Sequence, residues 1–174
     1  MTKAMFTEND FIHYARCPSL FKKSYTGTSN PIEPGLISLA KLALKKYFNH
    51  KELVQDIILT KTTQDSISEQ FQNKLLCFPQ FHTDSFTFTP HIIDFHEDSL
   101  DVYILCSAYF LNNYFIKQLS IWFFGLQLLG FKQIKLYSLH ISQDSETSSP
   151  LIKSNLTAVA TKKSTLLTAN LNYM

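Results

Sequence analysis

Apolar positions along the chain change their period several times, and the changes divide it into elements. Between Gly35 and His50 the residues Leu36, Leu39, Ala40, Ala43, Leu44 and Tyr47 recur every three or four positions, with Lys41, Lys45, Lys46 and Lys51 toward the other side or the end. This spacing predicts an amphipathic helix. Upstream, Thr7 or Asn9 can cap a short helix running through Phe11, Ile12, Tyr14 and Ala15 to Arg16. Pro18 interrupts it and suits the first turn of a second short helix ending near Lys23, before a loop from Gly27 to Pro34. The stretch from Lys51 to Leu76 is mostly polar; Glu69 to Leu75 can hold a helix that leads into a first strand near Leu75 to Phe81. Phe86, Phe88, Ile92 and Asp94 then alternate with their neighbours around Pro90, and Leu100 to Cys106 is a β-rich run joined to them by the turn Glu97-Asp98-Ser99. Asn112 or Asn113 caps an apolar helix from Tyr114 to Leu129, Gly130 ends it, and Lys132 to Ile141 reads as a last strand. The order is helix, strands, helix, strand, which predicts an α/β domain.

After Ser142 the composition turns to Ser, Thr, Asn and Lys with few aromatics, so the expected division is a domain over residues 1–142 and a polar, loosely ordered extension over 143–174. The longest apolar run, Leu119 to Phe131, has thirteen residues, short of the ~20 that a membrane-spanning helix needs. No membrane partner is expected. The first ten residues lack the apolar core of a signal peptide, and Cys17, Cys77 and Cys106 form no C-x-x-C pair. These features predict reduced thiols and a cytoplasmic location.

With 174 residues, 45% of them hydrophobic, the chain can bury one sizeable core. A net charge of +2 is too small to imply a polyanionic partner by itself. Arg16 is the single arginine among 16 basic residues, so phosphate binding would fall to lysines. Lys22, Lys23, Lys41, Lys45 and Lys46 either flank a nucleic-acid groove or solvate helix faces. The aromatic residues Tyr109, Phe110, Tyr114 and Phe115 either stack on bases or fill the core. In His91-Ile92-Ile93-Asp94-Phe95-His96, strand alternation places Asp94 and His96 on one face and His91 on the other. Two ligands need a distant third, such as His82 or His140, so no transition-metal site is expected.

The segment Phe6-Thr7-Glu8-Asn9-Asp10-Phe11, a gap of five residues, then Cys17-Pro18 and Leu20-Phe21 resembles the opening of RecB-like exonucleases in the PD-(D/E)XK nuclease superfamily. The likeness is to the CRISPR-associated exonuclease branch and a related bacterial family, over roughly residues 6 to 141. It implies a restriction-endonuclease-like αβββαβ core with a mixed sheet and N-terminal helices. It also implies a metal site, with an aspartate at the end of the second core strand and a Glu-x-Lys on the third holding Mg²⁺ against the scissile phosphate. Asp94 matches the aspartate, whereas Ile104-Leu105-Cys106 stands in the place of Glu-x-Lys. No lysine or arginine lies between His96 and Ile116, so a shifted alignment does not restore the amine. Trp122 stands near the glutamine expected on the following helix, with Gln118 and Gln127 displaced from it. No histidine lies between Gly35 and His50, where one is often used. An iron–sulfur cluster fails too, because four cysteine ligands are not present.

The resemblance therefore implies a nuclease scaffold that has lost its metal site, keeps Asp94 as a remnant, carries no cofactor and acts by binding a nucleic acid or a protein. One alternative is an active Mg²⁺-dependent nuclease into which Glu97, Asp98, Asp101 or Lys117 has migrated. The other is a protein-interaction or secreted-effector role that reuses the scaffold, with the segment from Ser142 to Met174 as the recognition or export element.

Overall fold

The computed structural model describes residues 6–8, 10, 32–48, 52–55, 57–59, 70–72, 74–84, 86–97, 99–106, 113–141 and 152–162. Its elements are β1 (Phe6–Thr7), α1 (Pro34–Tyr47), β2 (Glu52–Gln55), β3 (Ile58–Leu59), β4 (Lys74–Cys77), β5 (Gln80–His82), β6 (Phe86–Phe88), β7 (Ile92–Phe95), β8 (Leu100–Cys106), α2 (Asn113–Leu128), β9 (Ile134–His140) and β10 (Ile152–Asn155). Six strands form one sheet in the order β10-β9-β8-β7-β4-β2, and four short ones form a second in the order β1-β6-β5-β3.

In the larger sheet β4, β7 and β8 run antiparallel to one another, and β9 lies parallel to β8. A parallel neighbour cannot be reached by a tight turn, so the chain crosses over through α2. Read in sequence, α1, β4, β7, β8, α2 and β9 make the αβββαβ order and mixed sheet expected from the sequence. The expected N-terminal helices fall almost wholly outside the described residues. Of their start, Thr7 and Asp10 are seen: Asp10 N–H donates to Thr7 Oγ1 at 3.4 Å, and Thr7 N–H donates to Asp10 Oδ2 at 2.8 Å. This reciprocal pair is how a capping box begins a helix.

Every residue of β7 and β8 is buried, as expected for strands covered on both faces. On one face Leu39, Ala40 and Ala43 of α1 pack on Leu75, Cys77, Ile92, Tyr103, Leu105 and Leu139. On the other, Leu76, Ile93, Phe95, Val102, Ile104 and Leu136 meet Leu119, Trp122 and Leu126 of α2, together with Phe81, Phe86 and Phe88 of the small sheet. The small sheet is thus a second layer beside α2. Their approach is close enough that a Cβ added at Gly125 would overlap the Phe88 ring. At its C-terminus α2 closes with Phe131 N–H donating to Leu126 C=O and Gly130 N–H to Gln127 C=O, Gly130 having φ 98°. That is a Schellman ending, and it needs the glycine.

Three sequence expectations change. The run from Leu75 to Phe81 is two strands in different sheets, because Phe78 and Pro79 turn the chain between β4 and β5. The alternation around Pro90 is likewise split, β6 lying in the small sheet and β7 in the large one. The third change is in the C-terminal segment. Ile152 to Asn155 pairs antiparallel with Tyr137 to His140, and Leu156 and Ala160, in and before a helical turn over 157–162, are buried in the main core. The folded unit therefore runs past residue 142.

Candidate functional site

Two acidic centres, one buried and one half-buried, lie near the β7–β8 pair. The first contains Asp94. Register pairs Asp94 with Asp101 and Ile92 with Tyr103, so alternation places Asp94, Asp101, Tyr103 and Leu105 on the α1 face of the sheet. Ile104 and Cys106 point into the core on the α2 face. The residue directly opposite Asp94 is Asp101, with Tyr103 one pair further along on the same face, whereas Ile104 and Cys106 lie on the other face.

Two like charges directly opposite each other across strands repel. Here an imidazole and an ammonium group face the pair. His96 Nε2 lies 3.7 Å from Oδ2 of both Asp94 and Asp101. Lys153 Nζ, delivered by β10, lies 3.7 Å from Asp101 Oδ2, donates to the Tyr103 hydroxyl at 3.1 Å and sits 3.8 Å from the Tyr137 ring centre. The Tyr103 hydroxyl donates in turn to Asp101 Oδ2 at 3.3 Å. Burial first, then the Asp101 charge, holds this phenol protonated far above its usual range. Lys153 was not foreseen from the sequence; only the pairing of β10 with β9 brings it here.

The Asp94 and Asp101 side chains are 6% and 11% exposed. His140 pairs with Cys106 at the opposite end of β8 from Asp101, and His82 lies in the other sheet, so neither joins Asp94. Among the described residues no group of three or more His, Cys, Asp and Glu side chains is arranged to hold a metal ion. Of the migrated candidates, Asp101 adjoins Asp94, Glu97 is exposed in the turn, Lys117 lies on α2 across the sheet, and Asp98 falls outside the described residues.

The second centre lies between β1, the start of β7 and the start of α2, in a cleft of about 240 Å³. Glu8 is its acid. Its Oε2 accepts from Trp122 Nε1–H at 2.7 Å and from Thr89 N–H at 3.0 Å, and its Oε1 accepts from Gln118 Nε2–H at 3.1 Å. All three donors are neutral. Burial raises the Glu8 pKa, the hydrogen bonds from Thr89, Trp122 and Gln118 opposing it. Gln118, displaced from its expected place on the helix, thus reaches the cleft, and Trp122 takes part as an indole donor.

His91 lines the same cleft. Its Nδ1 accepts the Leu105 N–H at 3.0 Å, which leaves the ring proton on Nε2. Burial pushes its pKa down to about 3, so the ring is neutral at physiological pH. The ring lies 5.0 Å from Trp122 and 5.8 Å from Phe78, centre to centre. Phe78 has φ 52° and donates its N–H to the His91 carbonyl at 2.9 Å; left-handed backbone in a residue other than glycine costs about 1–3 kcal/mol. Sequence reading placed His91 opposite Asp94 but gave Glu8 no role beyond the opening motif.

A neighbouring cleft of about 150 Å³ against α1 shares Ile32 and Phe78 with the first and includes Lys41. Lys41, Lys45 and Lys46 are exposed on α1; Lys22 and Lys23 fall outside the described residues. Tyr114 lines the larger cleft, while Phe115 packs against the core; Tyr109 and Phe110 are outside the described residues. Burial pushes the thiols of Cys77 and Cys106 up to about 11 and about 12, which makes them poor nucleophiles. Among the described residues no helix is long and apolar enough to cross a membrane. Comparison with protein-family models, curated proteins and solved structures finds no match in any of the three.

Proposed function

We propose that this chain is a nuclease-like domain that binds a nucleic acid without cutting it, using the αβββαβ scaffold it resembles. The observation that carries the reading is the sealed state of the Asp94 centre. A metal-dependent cut needs carboxylate oxygens that an ion and a phosphate can reach. Those of Asp94 and Asp101 are almost wholly buried and face His96 and Lys153 instead. Binding falls to α1, where Lys41 and Lys45, one turn apart, and Lys46 project ammonium groups into solvent.

A second reading has one observation in its favour. Two carboxylates, a phenol oxygen and an ammonium do converge around Asp101, which is the inventory of a nuclease site with a migrated acid and lysine. Incubation with single- and double-stranded DNA and RNA and Mg²⁺ or Mn²⁺ separates the two. The binding reading expects intact substrate; cleavage lost in both Asp94→Ala and Lys153→Ala would establish the second. Anisotropy titration of labelled oligonucleotides at two salt concentrations tests binding itself: affinity should fall with salt and weaken in Lys41→Glu/Lys45→Glu, and no binding even at low salt defeats the proposal.

A further inference from the structure

The Glu8 cleft has a polarity that a phosphate would not choose. Two carboxylates, Glu8 and Glu33, line it, and no lysine or arginine does among the described lining residues. Its chemistry is that of paired hydrogen-bonding groups between aromatic walls. Glu8 offers acceptor capacity: a carboxylate has about four lone-pair sites, of which Thr89, Trp122 and Gln118 occupy three.

His91 offers the complementary donor. The Leu105 N–H fixes Nδ1 as acceptor, so Nε2 carries the hydrogen. That Nε2–H makes no hydrogen bond to a described residue, though His91 is only 5% exposed and its ring borders the cleft. A polar donor at the wall of a cleft is normally met by protein, water or ligand. Trp122 touches both groups, by hydrogen bond to Glu8 and ring edge to His91. Phe78, Phe88 and Tyr114 supply apolar faces around them.

We infer that the cleft receives a nucleobase, which offers an exocyclic amine to Glu8, presents a ring nitrogen or carbonyl oxygen to His91 Nε2–H and stacks on the aromatic wall. Carboxylates accept from base amino groups, and extruded bases are held by hydrogen bonds to their edge plus aromatic stacking. This rests on the nucleic-acid reading in one respect only: Lys41 lines the adjoining cleft that shares Ile32 and Phe78, a place for the phosphate attached to that base. A free nucleoside presents the same edge, so the test has to separate the two sources.

Trp122 is the only tryptophan, and its fluorescence reports on the cleft through its contacts with Glu8 and His91. The full chain is titrated with the four ribonucleosides, with single-stranded homopolymer oligonucleotides, and with acetamide as a non-aromatic amide. Saturable quenching by at least one nucleoside is expected, weakened roughly tenfold or more in His91→Phe, which removes the donor and keeps a ring. Tyr114→Leu, at a half-buried position, provides a second variant if the first does not fold, with thermal midpoint and circular dichroism as the check on both. Oligonucleotides that compete with the nucleoside assign the base to a strand; nucleoside quenching that no oligonucleotide competes supports the cleft and assigns it to free nucleosides. Oligonucleotide binding that depends on Lys41 and Lys45 but is unchanged in His91→Phe, with nucleosides silent, overturns the cleft assignment and leaves strand binding standing. Silence of every nucleoside, or saturation by acetamide alone, also overturns it.

Discussion

Asp94 with Asp101 on one face of the large sheet, and Glu8 at its other end beside α2, are both acids withdrawn from water, and they are stabilised by different means. The aspartates face charged or chargeable partners, Lys153 and His96, and a lysine stacked over Tyr137 holds the group closed. Glu8 is held by an indole, an amide and a backbone N–H. Neutral dipoles satisfy hydrogen bonds without cancelling the charge, so desolvation remains the dominant influence on Glu8. The aspartate pair, although Asp101 Oδ1 is buried without a hydrogen-bond partner among the described residues, is a structural clasp held by a cation. An acid left with only dipoles retains an appetite for a proton or a complementary donor, which is why the cleft and not the remnant aspartate is the place to look for a ligand.

The comparison is broken most severely at Trp122, which is fully buried and donates to Glu8. Trp122→Ala should cost about 3–5 kcal/mol in denaturant unfolding, through lost packing and a cavity. Trp122→Phe keeps most of the volume but removes one of the two donors to Glu8 Oε2, for about 0.5–1.5 kcal/mol. Equal losses in the two variants would show that the indole N–H contributes nothing.

Acid titration of stability probes the cleft next. His91 has its folded pKa lowered from 6.5 to about 3, so its contribution is fully present above pH 6.5 and is lost as pH falls from there toward 3. Glu8 is raised above 4.5, so its contribution is present below pH 4.5 and is lost as pH climbs from 4.5 through the higher folded value. The two slopes oppose each other. His91→Asn should flatten the acid loss, and Glu8→Gln should steepen the gain in stability on raising the pH from 4.5 to 7; a Glu8→Gln profile parallel to that of the parent chain would refute the role of burial at Glu8.

The clasp is tested by Lys153→Met, which leaves the aspartates with His96. The ammonium is partly exposed, so the expected loss is smaller, about 1–2 kcal/mol at low ionic strength from the ion pair and the ring contact together. It should shrink in high salt and be partly recovered in the double variant Lys153→Met/Asp101→Asn. A loss indifferent to both salt and Asp101 would make Lys153 a packing residue only.

How far these centres were legible in the sequence follows from the range of the interactions that build them. The α1 stripe, the Leu100 to Cys106 strand and the Gly130 helix end follow from local periodicity and backbone chemistry, and the αβββαβ order follows from them. Asp94 and its separation from His91 were equally readable, because alternation is a property of one strand. That Asp101 is the residue opposite Asp94 was not readable, since register is set by pairing between strands, and a single-residue slip exchanges the faces. Glu8 and Lys153 were missed for a different reason. Glu8 meets Trp122 across 114 positions of chain and Lys153 meets Tyr103 across 50, and their surroundings in sequence are polar. The C-terminal segment looked loose because polar composition is also what an edge strand carries on its open side.

The placement of Lys153 on the last strand also orders events during biosynthesis. It follows Tyr103 by 50 residues, roughly 2.5–10 s at a synthesis rate of ~5–20 residues per second. Until β10 is made, Asp94, Asp101 and His96 lack the ammonium that lies against Asp101 in the folded chain, so this strand supplies the closing charge.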